Sequence, residues 1–570
     1  MMATKMMKII IKNILNNMNK IKLQKILSVC STVSVMALMA GGPALADFHT
    51  INQDTGFEST NDVVATVTDT FASLNENAQA VVNVGEGTVT SGGNIVEGNT
   101  SDGNAVTGVV SLDGSFSNDT NTNTLNHSGF GLADPTSQNS TTGANSTNNA
   151  TTALSELVVA SNSNAANVGN LISVLGVSGN NDISNNTGAG FLDTGDLNGS
   201  LATNNMVNTN FLDLSSSANS SPVSMALNDT TGANSQNDAV VTVDEAIAAA
   251  NSNQASISNS IYALLSSGGN IVSDNTGPVD ATTGAVAGDT TVTNNANSNQ
   301  TTVSADFNGS DITASNTTTG SGSTNDAGAV TTQAITVANE NVANVANVVD
   351  TTALSGGNDY SSNTGAVTAV TGDASNTVSV DNGDTLNSNV TDISLNMGGA
   401  SVAAMNDTTG ADSTNNIDAS LTTSVVSANS NSADIANSVS STACTGCNTV
   451  DSNTGPADLV TGDASTDTSI VNDVNNNTTS VTMSPVAAVT AENSTTGAGS
   501  TNDSSADVTN TVTVANTNSA EIVNSVVSSS QSGGNDVSGN TGSSSVSTGG
   551  ASLSFDVSNT GNSNSTDVNQ

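Results

Sequence analysis

The chain has 570 residues, of which 50 are acidic and 6 basic, a formal net charge of -44. The basic residues are lysines between Lys5 and Lys25, so everything from Ile26 onward lacks Lys and Arg. A charge of this sign and size repels nucleic acid and anionic lipid and excludes both as partners, while oxygen-rich carboxylate and amide surfaces suit hard cations such as Ca²⁺.

The lysines are followed by an apolar run from Ile26 to Ala40, then Gly41-Gly42-Pro43 and the small-residue site Ala44-Leu45-Ala46. That order is the order of a secretory signal peptide, with cleavage expected between Ala46 and Asp47. A lipoprotein reading through Cys30 competes, but Val29 stands where a small residue is wanted. No later stretch is long and apolar enough to span a membrane as a helix.

From Asp47 onward the apolar residues are mostly Val, Ala and Ile; aromatics are 2% of the chain and Trp is absent. This is too little bulk for one large core, and order has to come from repetition. TTG-like turns end at Gly56, Gly143, Gly232, Gly320, Gly410 and Gly497, spaced 87 to 90 residues apart. Forty-five residues after each comes an NTG turn, at Gly188, Gly277, Gly365, Gly455 and Gly542, with Ser101 in the first copy. A third glycine follows seven residues later, at Gly108, Gly195, Gly284, Gly372, Gly462 and Gly549. The repeats read as 47–134, 135–223, 224–311, 312–401, 402–488 and a shorter 489–570.

An N-x-N pair falls 21 residues after each TTG glycine (Asn77, Asn164, Asn253, Asn341, Asn431, Asn518). Another falls 22 residues after the NTG position in five copies, and 24 after it in the fourth, at Asn389. Markers about every 22 residues predict an all-β parallel β-helix or β-solenoid rod with coils of that length, about 24 coils giving about 115 Å. Alternation such as Asn253, Ala255, Ile257, Asn259, Ile261 supports strands. AIAAANSNQ at 246–254 is alanine-rich enough for a short helix. The rival architecture is a tandem array of six β-sandwich domains, one per repeat.

Chemistry is sparse. Cys444 and Cys447 form a C-x-x-C pair without the βαβ setting of a redox site or two further zinc ligands, so in an exported chain they are expected to form a disulfide. Asp62, Asp238, Asp326 and Asp503 recur six residues after a TTG glycine and are the candidate metal ligands, with Ca²⁺ the candidate ion, against the plainer reading of solvated turn carboxylates. The TG-D words add Asp196, Asp373 and Asp463. Asn139, Asn228, Asn316, Asn406 and Asn493 begin N-x-T sequons. No catalytic residue stands out, because a polysaccharide lyase typically needs a cation and no acidic pair is distinguished among so many.

The words NTG…TGDAS and ANxNxAxIxN, over essentially all of 47–570, resemble secreted, lysine-poor, Asn/Thr/Gly-rich β-strand repeat proteins of bacterial surfaces. The resemblance is one of repeat style and implies a structural role at the cell surface, S-layer-like, with self-association or binding to other surface components. An adhesin recognising a glycan is the alternative, and a polysaccharide-active β-helix enzyme a more distant one.

Overall fold

Turn words and apolar alternation together define the strands. In the computed structural model, which describes residues 48–130, 134–216, 223–306, 311–484 and 488–570, the described residues form strands and no helix. The signal segment and its cleavage site at Ala46 and Asp47 lie outside the described residues.

Each copy of the repeat makes the same five strands. In the second copy they are Pro135–Thr142, Thr147–Val177, Asp182–Ser184, Gly190–Asp193 and Leu197–Ser216. The TTG word turns the first strand into the second, the NTG word separates the third from the fourth, and TG-D precedes the fifth. Every strand pairs in parallel with its counterparts in the copies before and after, giving five six-stranded sheets, here I to V in chain order. One copy is therefore one coil of a parallel β-solenoid, and the six coils begin at Phe48, Pro135, Val223, Asp311, Ser401 and Ala488.

Two expectations are corrected by this register. Asn61, Asn148, Asn237, Asn325, Asn415 and Asn502 stand directly above one another, so a coil takes a whole repeat and not about 22 residues. With six coils, the stack rises about 29 Å rather than about 115 Å. The tandem-sandwich alternative fails as well, because neighbouring copies share all five sheets and the described residues from Phe48 to Gln570 form one compact unit.

Each strand of sheet II has 31 residues, as in Thr60–Thr90 and Thr147–Val177, which at about 3.3 Å per residue spans about 100 Å. The chain runs out along sheet II, rounds the end through the short strands of sheets III and IV, and returns along sheet V and then sheet I. The long dimension lies along the strands. Sheet II faces sheet V over most of its length and sheet I near its start, with inward residues alternating as the sequence indicates. The segment 246–254 is strand: Ile247, Ala249, Asn251 and Asn253 are buried. Alanine's helix propensity is overridden there by in-register partners on both sides.

The interior is divided along the strands into apolar blocks. One block joins the start of sheet II to sheet I through Leu154, Val241, Ile312 and Val402. The next joins sheets II and V through Val158, Leu212, Ile335 and Ile393, and another through Ile172, Leu201, Ile261 and Val380. Sheets III and IV enclose Ile183, Leu192, Val272 and Tyr360 at the rounded end. A thin space about 10 Å between sheets needs only such medium-sized side chains. The marker glycines recur because coils touch there: a Cβ on Gly143 would overlap the backbone of Gly56, and one on Gly195 the backbone of Gly108.

Candidate functional site

Between the apolar blocks the core is asparagine. Asn162, Asn164, Asn205, Asn208 and Asn210 are all buried, and burial of an amide is tolerable only when its donors and acceptor are met. Here they are met in two directions. Up the stack, Asn61 Nδ2 donates to Asn148 Oδ1 at 2.7 Å, Asn148 to Asn237 at 2.8 Å, and so on to Asn502. Across the core, the N-x-N pairs of sheets II and V meet: Asn164 Nδ2 donates to Asn210 Oδ1 at 2.8 Å and Asn253 to Asn299 at 2.8 Å. The marker spacing of about 22 residues is thus the distance from a turn to the middle of the coil. The two extra residues before Asn389 are taken up by a register irregularity between Asn382 and Leu386, and Asn341 still reaches Asn389 at 2.9 Å.

Four of the five sequon asparagines are fully enclosed in this net, while Asn493 in coil 6 is only half-buried. Asn139, Asn228, Asn316 and Asn406 are fully buried and pass hydrogen bonds from coil to coil, so a folded chain cannot present them to a glycosyl transferase.

Cys444 and Cys447 lie where sheet II turns into sheet III. The expected disulfide is not formed: both are free thiols, with sulfurs 3.8 Å apart against about 2.05 Å for a bond. The turn closes without it, because Thr445 Oγ1 donates to the Gly462 carbonyl at 2.7 Å and Asn448 Nδ2 to the Thr445 carbonyl at 3.0 Å. Burial, reinforced by the neighbouring Cys447, pushes the Cys444 thiol up to about 11.

The four candidate metal ligands share one column on the outer face of sheet II, running Asp62, Asn149, Asp238, Asp326, Asn416, Asp503. Only Asp238 and Asp326 are neighbours in it. Partial burial, then the Asp326 charge, raises the Asp238 carboxyl above its usual range. Asp62 accepts from Asn149 Nδ2 at 2.7 Å and stands at the opposite end of the column from Asp503. Among the described residues, no group of three or more His, Cys, Asp or Glu is arranged to hold a metal ion. The TG-D aspartates have structural partners: Asp196, Asp373 and Asp463 each accept a backbone N–H from the coil above.

A second acidic column faces inward. Asp69, Glu156, Glu245 and Gln333 stack in successive coils of sheet II. Gln333 Nε2 donates to Glu245 Oε2 at 3.2 Å, while Glu156 Oε1 and Glu245 Oε1 are buried without a hydrogen-bond partner. Burial first, and the Asp69 charge second, push the Glu156 carboxyl up to about 7. Glu245 is raised well above the carboxylate range by burial, then by Glu156, against a smaller opposing effect of Gln333. Nearby, His127 stacks on Phe71 with ring centroids 3.6 Å apart, and burial lowers its pKa against the pull of Asp69. Sequence reading missed this column, although the signal is present: counting back by twos from Asn77 along the alternation brings an acid to an inward position at Asp69.

The outer face of sheet II carries a shallow groove floored by Ala250, Ala338 and Ala428 and edged by Ser252, Glu340 and Ser430. Among the described residues, no helix is long and apolar enough to cross a membrane. No family model, curated protein or solved structure matches the chain.

Proposed function

We infer that this chain is a structural, non-enzymatic protein of the cell surface or extracellular space, an acidic repetitive element of S-layer or envelope type. The observation that carries the reading is the use to which the recurring polar residues are put. Ladder asparagines, turn glycines and TG-D aspartates bond coil to coil, and the buried carboxylates Glu156 and Glu245 face the closed space between sheets. A secretory leader, expected from residues 1–46, supports export. Divalent cations, Ca²⁺ first among them, fit as stabilisers of an exterior with 50 acidic residues in the chain, the Asp238–Asp326 pair being the place where neighbouring carboxylates would most benefit. Immunogold electron microscopy of intact cells tests the location. Label on the outer surface supports the reading, and label confined to the cytosol overturns it.

The groove on sheet II favours a second reading, an adhesin that binds a glycan along this flat face. Ser252, Glu340 and Ser430 recur along it at the coil spacing and could accept and donate to sugar hydroxyls. A glycan array probed with the purified chain would show binding lost on Glu340→Ala; silence across the array removes this reading.

A further inference from the structure

Among the described residues, both ends of the stack are open. Thr60–Thr90 of coil 1 and Thr501–Gln531 of coil 6 each have one sheet neighbour, and no described residue covers their free edges. Uncovered edges of this length invite pairing with another strand. At coil 6 the inward side chains Val508, Leu553 and Phe555 are 46%, 45% and 63% exposed, whereas their counterparts one coil below, Leu421, Thr466 and Thr468, are at 1%, 2% and 0%.

The two ends also differ in hydrogen-bonding character. Wherever the side chains of two stacked asparagines bond each other, the Nδ2 is in the lower coil and the Oδ1 in the upper, as in Asn83 to Asn170 and on to Asn437 and Asn524. Backbone groups impose this direction, since the N–H of Asn94 and of Asn99 donates to Oδ1 of Asn181 and Asn186 in the coil above. Coil 1 therefore presents amide oxygens and coil 6 presents amide N–H. Asn524 keeps its lateral bond to Asn559 but lacks the upward bond that Asn437 makes to Asn524.

The edges match in contour. Backbone irregularities with positive φ occur at equivalent places: Gly93 and Gly534 at 80° and 78°, Asn121 and Asn562 at 60° and 58°. Carrying the register one coil further sets Val508 on Val67, Phe555 on Gly114, and the amide of Asn510 on the carboxylate of Asp69. Within sheet II it sets acid on acid only at Asp503 and Asp62, a pairing already present internally at Asp238 and Asp326. Two coil-6 ends meeting by a two-fold axis would instead oppose donors with donors. A contact about 100 Å long and about 10 Å deep covers on the order of 1,000 Å² per partner, above the roughly 800 Å² of a standard specific interface.

We propose that the chain polymerises head to tail, coil 6 of one copy seating on coil 1 of the next, so that sheets and asparagine ladders run on through a polar fibre. Such a heterologous contact does not close on itself, and the fibre advances about 29 Å per copy. This deepens the structural reading above and rests on it.

The test uses the full chain with Cys30, Cys444 and Cys447 replaced by Ser, at high salt to screen the net charge. Val64 and Ser505 come into register on the outer face across the proposed contact, about 4.8 Å apart, within disulfide reach. Mixing the Val64→Cys and Ser505→Cys chains under mild oxidation is expected to give the mixed disulfide, while each alone gives none. Phe555→Lys is expected to abolish fibres in electron micrographs and leave the circular dichroism of the monomer unchanged. Homodimers of either cysteine variant, a monomer at every salt concentration, or a different polypeptide captured by the Ser505→Cys chain overturns the proposal; should Phe555→Lys misfold, the disulfide result alone decides. A monomer that still labels the cell surface removes this inference and leaves the structural reading intact.

Discussion

Asn77 Nδ2 donates to Asn123 Oδ1 at 2.6 Å, joining sheet II to sheet V across the middle of coil 1. These two residues, 46 apart in sequence, belong to the two N-x-N words of one repeat, and the same bond recurs in every coil. The core of this solenoid is held at its centre by amides, and its stability should answer to them.

Asn253 tests this. It is buried, accepts from Asn210 and donates to Asn299 and Asn341 at 2.8 and 3.0 Å. Asn253→Ala removes three buried side-chain hydrogen bonds and leaves an Asn210 N–H without its acceptor, and is expected to cost about 3 kcal/mol or more. Asn253→Asp should cost more at neutral pH, because it sets a carboxylate against two amide oxygens, and the difference between the two variants should shrink in acid. Urea denaturation at two pH values measures both effects.

Glu156 makes stability fall with rising pH. Its carboxyl ionises near 7 when folded, against an ordinary 4.5. Between those values the folded chain keeps a proton that the unfolded chain has released, so folding is favoured below the window and weakened as pH rises through it. The full loss is about 3 kcal/mol. Glu156→Gln removes it, and the variant should exceed the parent in denaturation midpoint at about pH 8 and match it at about pH 4.

Glycines divide by position. A Cβ at Gly277 would overlap the backbone of Gly188, whereas Gly328, on the outer face of a strand, has open space around it. Gly277→Ala is expected to destabilise by several kcal/mol through separation of two coils, on the order of a severe overpacking substitution. Gly328→Ala should stabilise by about 0.5–1 kcal/mol by reducing chain entropy. Thermal melts of the two variants separate these outcomes.

The cysteines should react unequally. Cys444 is buried and Cys447 exposed, and the Cys444 thiol is pushed up to about 11, so iodoacetamide near neutral pH should label Cys447 first and leave Cys444 largely intact. Cys447 also sits at φ 63°, where the equivalent residues are glycines or Asn180. Cys447→Gly is expected to preserve the fold and raise stability by about 1 kcal/mol. Peptide mass mapping and a thermal melt measure the two effects.

Sequence alone determined the turns, the sixfold repetition, the inward alternation and the absence of a bulky core, because each is a local property written in glycine placement and side-chain period. It also placed the Asp column and the cysteine turn in register, and both stand where the repeat arithmetic puts them. The tertiary structure decided the coil length. A marker every 22 residues looks the same whether successive N-x-N words stack in neighbouring coils or meet across one core, since alternation tells which way Asn77 points and not what it touches. Only long-range pairing sets Asn77 opposite Asn123 and above it Asn164, turning the expected tall stack into six broad coils. The same pairing brought Glu156 against Glu245 in the closed interior: alternation turns both inward, but only a coil one full repeat long makes residues 89 apart neighbours.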